Sequence, residues 1–255
     1  MSTWIFLRGL TRESRHWGDF VGQFQRAFPD HTVVALDMAG NGRLNHQTSP
    51  CRVEEMVADC RRQLAQRQIT PPYHVLAMSL GAMVSVAWTQ SYPHEILGQV
   101  LINTSMRPFN PFYQRLRPAN YGKLLRLVWP GTSAKVCEHT ILQITSRRRD
   151  VSVLPLWLAL RGTNPVSGHN ALNQLVAAAR FCAPTGQAIV PTLLLASALD
   201  QLVSVACSRT VAAAWQCPLK VHLSAGHDLP LDDGPWVLTR LAEWLSCRRH
   251  MGETQ

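Results

Sequence analysis

An apolar run that ends at a serine and then continues as a helix constrains this chain more than any other stretch. Residues 73–78 read YHVLAM, Ser79 follows, and residues 80–91 are rich in Ala, Val and Met. This pattern predicts a buried strand, a sharp turn and a buried helix. Ala77 and Gly81 are small, as is needed where a strained turn pushes a serine hydroxyl outward. The stretch therefore fits a nucleophile elbow of the variant form A-x-S-x-G.

The length and the charge of the chain limit its class. With 255 residues, 46% of them hydrophobic, the chain can bury one large core, and we expect one core domain with an insertion. The net charge of +9 resides in residues 107–184, which hold eleven Lys and Arg against two acidic residues. Such a local excess describes a surface and its partner rather than a fold.

Cysteine usage and hydropathy indicate the compartment. The seven cysteines form no C-x-x-C pair and no spacing with histidine that suits zinc, so we expect neither a disulfide framework nor a metal site. No apolar stretch reaches the roughly 18 residues that a membrane span needs, and the N-terminal apolar run is short. The sequence predicts a cytoplasmic protein that is neither exported nor membrane-spanning. We further expect no organic cofactor and, as a working expectation, a monomer.

Strand and helix patterns alternate along much of the chain. Apolar strands are predicted at residues 3–7, 32–36, 73–78, 99–103, 191–196 and 220–223. Helices are predicted between most of them, and a final amphipathic helix at residues 235–247. Such alternation favours parallel βαβ units with right-handed crossovers. We therefore predict an α/β fold with a doubly wound, mostly parallel sheet, whose functional loops gather at the carboxyl ends of the strands.

The alternation fails between the fourth and the fifth predicted strand. Residues 107–184 are rich in Leu, Trp, Arg and Pro and lack a clear β alternation. Short helices are predicted there at residues 121–128, 134–144, 151–160 and 170–181. We expect a core domain made of residues 1–106 and 185–255, with residues 107–184 as an inserted helical cap.

Three polar residues follow predicted strands and should meet at one edge of the sheet. Ser79, Asp200 and His227 each stand just after an apolar strand. A serine hydroxyl is a poor nucleophile at neutral pH, so it needs a histidine to take its proton and an acid to orient that histidine. Two alternatives remain for the acid: Asp200 could instead cap the helix after it, and Asp228 could serve in its place. Asp228 adjoins the histidine in sequence, however, and should point elsewhere.

An oxyanion formed by attack of Ser79 would need two backbone N–H donors. One donor normally follows the nucleophile and the other lies in the loop after an early strand. In this sequence Leu80 and Leu10 occupy those places.

Five short motifs in this order resemble those of a known superfamily. They are LRGL at residues 7–10, DMAGNG at 37–42, AMSLG at 77–81, Asp200, and AGHDLP at 225–230. The chain resembles the α/β-hydrolase superfamily from about residue 3 to residue 245, in the capped carboxylesterase type. Through its S-L-G elbow and G-H-D-L-P-L-D-D tail it is most similar to the pimeloyl-acyl-carrier-protein methyl ester esterase family. Arg8 stands where the family usually has histidine, and Ala77 where it has glycine.

The resemblance implies a serine carboxylic-ester hydrolase with a catalytic triad of Ser79, His227 and Asp200. It also implies substrates on acyl-carrier protein, as in biotin biosynthesis. The basic segment contains the run Arg147, Arg148 and Arg149, which favours an anionic partner. This partner could be an acidic acyl-carrier protein, coenzyme A or a phospholipid. Such a run can also be a solvated surface. A thioesterase, an acyltransferase, a lyase and a non-catalytic binding protein remain alternatives on this fold. Nucleic-acid binding is disfavoured because no stacking motif accompanies the arginines.

Overall fold

The computed structural model describes residues 2–127, 129 and 131–252, with side chains up to Arg248. Its strands are β1 (Ser2–Leu7), β2 (His31–Leu36), β3 (Tyr73–Met78), β4 (Ile96–Ile102), β5 (Thr192–Ser197) and β6 (Leu219–His222). They form one six-stranded sheet in the order β2-β1-β3-β4-β5-β6, and every neighbouring pair is parallel. All carboxyl ends therefore lie at one edge, where parallel sheets place their functional loops.

Helices cover both faces of this sheet. Within the described residues they are α1 (Phe20–Ala27), α2 (Val53–Gln66), α3 (Leu80–Ser91), α4 (Phe112–Arg115), α5 (Tyr121–Leu127), α6 (Ala134–Thr145), α7 (Leu154–Thr163), α8 (Gly168–Arg180), α9 (Val205–Trp215) and α10 (Leu229–Gly252). No helix in this part of the chain combines the length and the hydropathy that crossing a bilayer requires. The architecture confirms the predicted doubly wound α/β fold.

The core is split into two layers by the sheet. Along β1, Ile5 and Leu7 pack in the layer that contains α2 and α3, whereas Trp4 and Phe6 pack in the layer that contains α1 and α10. Every residue of β3 is buried. This two-sided burial explains why the strands read as continuous apolar runs rather than as an alternation of apolar and polar residues.

Helices α4 to α8 lie between β4 and β5, within residues 107–184, which we call the inserted segment. The two ends of this segment meet, because the N–H of Ala183 donates to the carbonyl of Arg107 at 2.7 Å. Val128, the last residue of one predicted helix, lies outside the described residues. The boundaries of the predicted core domain and cap stay a prediction.

Three helix starts differ from the sequence prediction, those of α7, α8 and α10. Helix α7 begins at Leu154 rather than at residue 151, because Val151–Val153 form a 3-10 turn. Helix α8 begins at Gly168 rather than at residue 170, because the hydroxyl of Ser167 caps it by accepting the N–H of Asn170. Helix α10 begins at Leu229 rather than at residue 235, and its first turn is separated from the rest by the non-helical backbone of Asp233.

Candidate active site

Ser79 lies at the turn between β3 and α3 in a strained backbone conformation. Its φ is 54° and its ψ is −118°, a region that residues other than glycine rarely adopt. The turn is held because Ser79 N–H donates to the carbonyl of Ile102 at 3.0 Å, and the hydroxyl of Thr104 donates to the carbonyl of Ser79 at 3.1 Å. The side chain is partly exposed. The serine is thus presented at the carboxyl edge of the sheet.

The small residues around the serine are explained by close contacts. A Cβ added to Gly81 would lie 2.6 Å from the carbonyl oxygens of Leu7 and Arg8, so no larger residue fits there. Ala77, which stands where glycine is usual, is fully buried and packs within the hydrophobic core.

The loop after β1 lies directly against the serine. A Cβ added to Gly9 would approach Ser79 Cβ to 3.1 Å and Ser79 Oγ to 3.5 Å. Leu10 follows in this loop, and Leu80 begins α3. The structure therefore brings both predicted oxyanion donors to the neighbourhood of Ser79.

Asp200 and His227 are in direct contact. His227 Nδ1 lies 2.7 Å from Asp200 Oδ2, and both side chains are buried. The other oxygen of Asp200, Oδ1, accepts the N–H groups of Leu202 at 2.7 Å and of Val203 at 2.9 Å. These bonds hold the carboxylate within the loop that follows β5. The residue that caps the amino end of α9 is Ser204, whose hydroxyl accepts the N–H of Ala206. Asp200 therefore contacts the histidine and does not cap α9.

Two opposed effects set the pKa of His227. Burial lowers this pKa, because it disfavours the charged imidazolium, but the charge of Asp200 and its hydrogen bond raise it. The net result is a pKa above the ordinary value for histidine. An imidazole with a raised pKa is a stronger base once it is neutral, as general-base catalysis requires.

Asn103, which sequence analysis did not single out, connects these loops. Its side-chain amide donates to the carbonyl of His227 at 2.8 Å, and its Oδ1 accepts the N–H of Ser197 at 2.8 Å. Its φ of 46° is in the left-handed region that asparagine tolerates better than most residues. The signal available in the sequence was an asparagine immediately after a buried strand.

Asp228, the alternative acid, binds a different partner. Its carboxylate accepts two hydrogen bonds from the guanidinium of Arg8, at 3.1 and 2.5 Å, and both side chains are buried. The guanidinium carbon of Arg8 lies 4.8 Å from the centre of the Trp17 ring. The arginine that replaces the usual histidine is therefore part of a buried ion pair that connects the end of β1 to the loop of His227.

The three consecutive arginines lie beside the same loop. Buried Asp232 accepts the N–H of Gly226 at 2.6 Å and the N–H of Arg147 at 2.8 Å, so one carboxylate holds the histidine loop and the start of the arginine run. Arg147 Nη1 lies 2.6 Å from the side-chain amide of Gln201, the residue after Asp200. All three arginines are exposed. The run therefore borders the candidate site.

Most of the positive charge of the inserted segment faces solvent. Nine cationic residues of the segment are exposed: Arg107, Arg117, Lys123, Arg126, Lys135, Arg147, Arg148, Arg149 and Arg180. Of its two acids, Asp150 is exposed, whereas Glu138 is buried and pairs with Arg12 and Arg161. The exposed surface of the segment thus carries nine cationic residues against one acidic residue.

Other features lie away from the serine. A cavity of about 780 Å³ opens at the amino ends of β5 and β6, against α10, where Trp215, Lys220 and Trp244 line it. This is the sheet edge opposite the candidate site. Among the residues that the structure describes, no group of three or more His, Cys, Asp or Glu is arranged to hold a metal ion.

Comparison with solved structures identifies the class of fold. An enol-lactonase from Burkholderia xenovorans LB400 superposes with a TM-score of 0.76 at 18% identity, over 96% of this chain and 91% of that one. A thermophilic esterase from Thermogutta terrifontis superposes with a TM-score of 0.74 at 18% identity, over 96% of this chain and 90% of that one. Both likenesses extend over nearly the whole chain and agree with the predicted fold class.

The sequence itself identifies the family. A family model described as Serine aminopeptidase, S33, matches residues 2–233, and the chain belongs to this family of hydrolases. The uncharacterized protein YqjL of Bacillus subtilis (strain 168) is 20% identical over 160 residues. That match covers 63% of this chain and 62% of the relative, so it spans less than two thirds of that protein. Membership in this family supports the predicted hydrolase class, and the narrower resemblance to the pimeloyl-acyl-carrier-protein methyl ester esterases stays a prediction.

Proposed function

We propose that this hydrolase is a serine carboxylesterase in which Ser79 is the nucleophile, His227 the general base and Asp200 the residue that orients His227. The observation that carries the proposal is the 2.7 Å contact between His227 Nδ1 and Asp200 Oδ2, at the same sheet edge as the strained turn of Ser79. This contact leaves Nε2 as the nitrogen that can accept the serine proton, as triad chemistry requires.

The reaction then proceeds in two half-reactions. Ser79 Oγ attacks the ester carbonyl while His227 takes its proton, and the tetrahedral oxyanion is stabilised by the N–H groups of Leu10 and Leu80. His227 returns the proton to the departing alcohol, which leaves an acyl group on Ser79. Water, activated by the same histidine, attacks the acyl-enzyme and releases the carboxylic acid. Neither a metal nor an organic cofactor takes part in this scheme.

The inserted segment is proposed as the cap over this site, with residues 1–106 and 185–255 as the core domain. Its contacts with the loops of His227 and Asp200 support this role, since the carbonyl of Thr145 accepts the N–H of Asp228 at 2.7 Å and Arg117 Nη1 donates to the carbonyl of Asp200 at 2.8 Å. A cytoplasmic, monomeric enzyme is part of the same proposal.

A substrate panel tests the reaction class. Hydrolysis of p-nitrophenyl esters, with inactivation and labelling of Ser79 by a fluorophosphonate, would support the esterase. A strong preference for acyl thioesters would instead indicate a thioesterase, and absence of both turnover and labelling would indicate a binding protein. The panel also includes an aminoacyl p-nitroanilide, which tests the aminopeptidase activity that the family description names. We expect slow hydrolysis of this substrate, because its ammonium group would be repelled by the exposed cations Arg147, Arg148 and Arg149.

The activity is expected to rise with pH. His227 must be neutral to accept a proton, and its pKa is raised, so kcat/KM for a p-nitrophenyl ester should increase through a titration above the unperturbed pKa of about 6.5. Asp200→Asn removes the charge that raises this pKa. The residual activity of this variant should therefore titrate at lower pH, with kcat reduced by about 10⁴. A wild-type profile that is flat from acid to alkaline pH would exclude His227 as the base.

The basic surface of the inserted segment is proposed to dock an anionic acyl carrier. An acidic acyl-carrier protein is the favoured partner, because the exposed run Arg147, Arg148 and Arg149 borders the loops of both Asp200 and His227. Attraction between exposed charges accelerates encounter and is screened over roughly 8 Å at physiological ionic strength. A short neutral ester has no charge to be attracted.

Replacing all three arginines with alanine should therefore lower kcat/KM for a carrier-linked ester by about tenfold or more at low salt, and leave a short p-nitrophenyl ester nearly unchanged. The matched control replaces Arg26, Arg52 and Arg67, which are exposed on or beside α1 and α2, and removes the same charge. An equal loss with both substrates would indicate damage to the cap. No loss with either substrate would reduce the run to a solvated surface.

A further inference from the structure

Gln174 of α8 connects the inserted segment to the loop beside the serine. Its Oε1 accepts the N–H of Thr11 at 2.8 Å, and its Nε2 donates to Asn41 Oδ1 at 2.8 Å and to Ser49 Oγ at 3.0 Å. Gln174 is fully buried, with 0% exposure. A buried amide is costly unless its donors and acceptor are satisfied, and here both donors and the oxygen are used. These three partners, Thr11, Asn41 and Ser49, all lie outside the inserted segment.

Thr11 adopts a conformation that it would not adopt alone. Its φ is 57°, and for a β-branched residue a positive φ is a genuine outlier. Such outliers persist only where the surrounding structure over-determines them, and they cluster at functional sites. The hydrogen bond that Thr11 N–H donates to Gln174 Oε1 connects the backbone of this residue to α8.

The strain at Thr11 is next to the proposed oxyanion donor. Arg12 N–H donates to the carbonyl of Gly9 at 3.2 Å and closes a turn over residues 9–12, which includes Leu10. Gly9 in turn lies against Ser79. A change of backbone conformation at Thr11 would therefore move the N–H of Leu10 relative to the serine.

The neighbouring amides of α8 provide a comparison. Asn170 Oδ1 accepts the N–H of Ser49 at 2.9 Å, and Asn173 Nδ2 donates to the carbonyl of Ser49 at 2.9 Å. Both side chains are buried and both bind the same core loop as Gln174. Within the described residues, neither forms a hydrogen bond to the turn of residues 9–12.

We propose that Gln174 is a positioning residue for the oxyanion hole, so that the inserted segment supplies part of the catalytic scaffold. The inference rests on the proposed esterase function. Gln174 touches neither the substrate nor the reacting atoms. It acts through Thr11, by holding the turn in the conformation that presents the N–H of Leu10.

The variant Gln174→Met tests this role, because it keeps the length of the side chain and removes its hydrogen bonds. Misplacing one oxyanion donor should lower kcat by about 10- to 100-fold with little change in KM, since the donor acts on the transition state rather than on the bound ester. Asn173→Ala is the matched control, which loses a buried hydrogen bond from α8 to the core but none to the turn. It should retain kcat within about threefold.

A transition-state analogue separates positioning from stability. A trifluoromethyl ketone forms an adduct with the serine that places an oxyanion in the hole, so its inhibition constant should weaken in Gln174→Met by about the same factor as kcat/KM. Titration of active sites with a fluorophosphonate corrects for any unfolded fraction. If Gln174→Met does not fold, Gln174→Glu replaces it. Burial favours the neutral carboxyl group, whose carbonyl oxygen still accepts the Thr11 N–H and whose hydroxyl can donate to Asn41 Oδ1. This variant should therefore bind the ketone within about threefold of the wild type.

Several outcomes would overturn the inference. They are equal losses of kcat in Gln174→Met and Asn173→Ala, unchanged ketone inhibition in Gln174→Met, or ketone binding weakened more than tenfold in Gln174→Glu. Failure of the proposed function looks different, because the wild-type protein itself would then be neither labelled by the fluorophosphonate nor inhibited by the ketone.

Discussion

Replacing Ser79 with alanine is expected to abolish ester hydrolysis, with a loss in kcat of about 10⁴ or more. The variant has no nucleophile, and removal of one member of a triad leaves only the catalysis due to binding and the oxyanion hole. The fold should be preserved, because alanine keeps the backbone bonds to Ile102 and Thr104 that hold the turn. Rates with p-nitrophenyl esters and a thermal melt of the same preparation measure both quantities.

The control for this experiment is Ser224→Ala. Ser224 is exposed, lies close in sequence to His227 and has no role in the proposed reaction. This variant should keep the wild-type rate and react with the fluorophosphonate, whereas Ser79→Ala should do neither. Turnover by purified Ser79→Ala comparable to that of the wild type would refute the assignment of the nucleophile.

Replacing Arg8 with methionine is expected to lower the free energy of unfolding by about 3–5 kcal/mol. The side chains of Arg8 and Asp228 are 3% and 5% exposed, so the variant leaves the carboxylate of Asp228 buried without its cation. Removing one partner of a buried ion pair typically costs this much, because the remaining charge has no compensation. Urea denaturation followed by tryptophan fluorescence measures the change.

The double variant Arg8→Met with Asp228→Leu separates the uncompensated charge from lost packing. Apolar replacement of both partners of a buried pair is often neutral or stabilising, so the double variant should recover to within about 1 kcal/mol of the wild type. A single variant that costs less than about 1 kcal/mol, or a double variant as unstable as the sum of the two single ones, would contradict this account of the pair.

The sequence predicts the fold class and the location of the elbow because both depend on local patterns. Strands with both faces covered must be apolar at every position, so β3 is visible before any tertiary contact is known. The turn at Ser79 requires small residues two positions before and after the serine. At Gly81 the reason is that a Cβ would lie too close to the carbonyl oxygens of Leu7 and Arg8. Since all strands are parallel, strand ends alone place Asp200 and His227 at the edge where Ser79 lies.

The contacts that hold the site together were not predictable in the same way. The hydrogen bonds between Arg8 and Asp228 join residues 220 positions apart, and the one that Thr11 donates to Gln174 joins residues 163 positions apart. No periodicity or spacing connects such positions, because their proximity follows from the path of the whole chain. The sequence showed that Arg8 departs from the family pattern, and it predicted that Asp228 points away from the histidine. It did not predict that Arg8 and Asp228 pair with each other.

The pairing of β4 with β5 across the inserted segment has a consequence for how the chain folds and diverges. Val100 pairs with Leu193, so the central sheet is complete only after the whole inserted segment has been bridged. The entropic cost of closing such a loop grows slowly, by about 0.6 kcal/mol for each doubling of its length, whereas contacts between distant residues slow folding. The length of the insertion is therefore weakly constrained by stability. Insertions and deletions can accumulate between α4 and α8 while the sheet, and the position of Ser79 on it, stay the same.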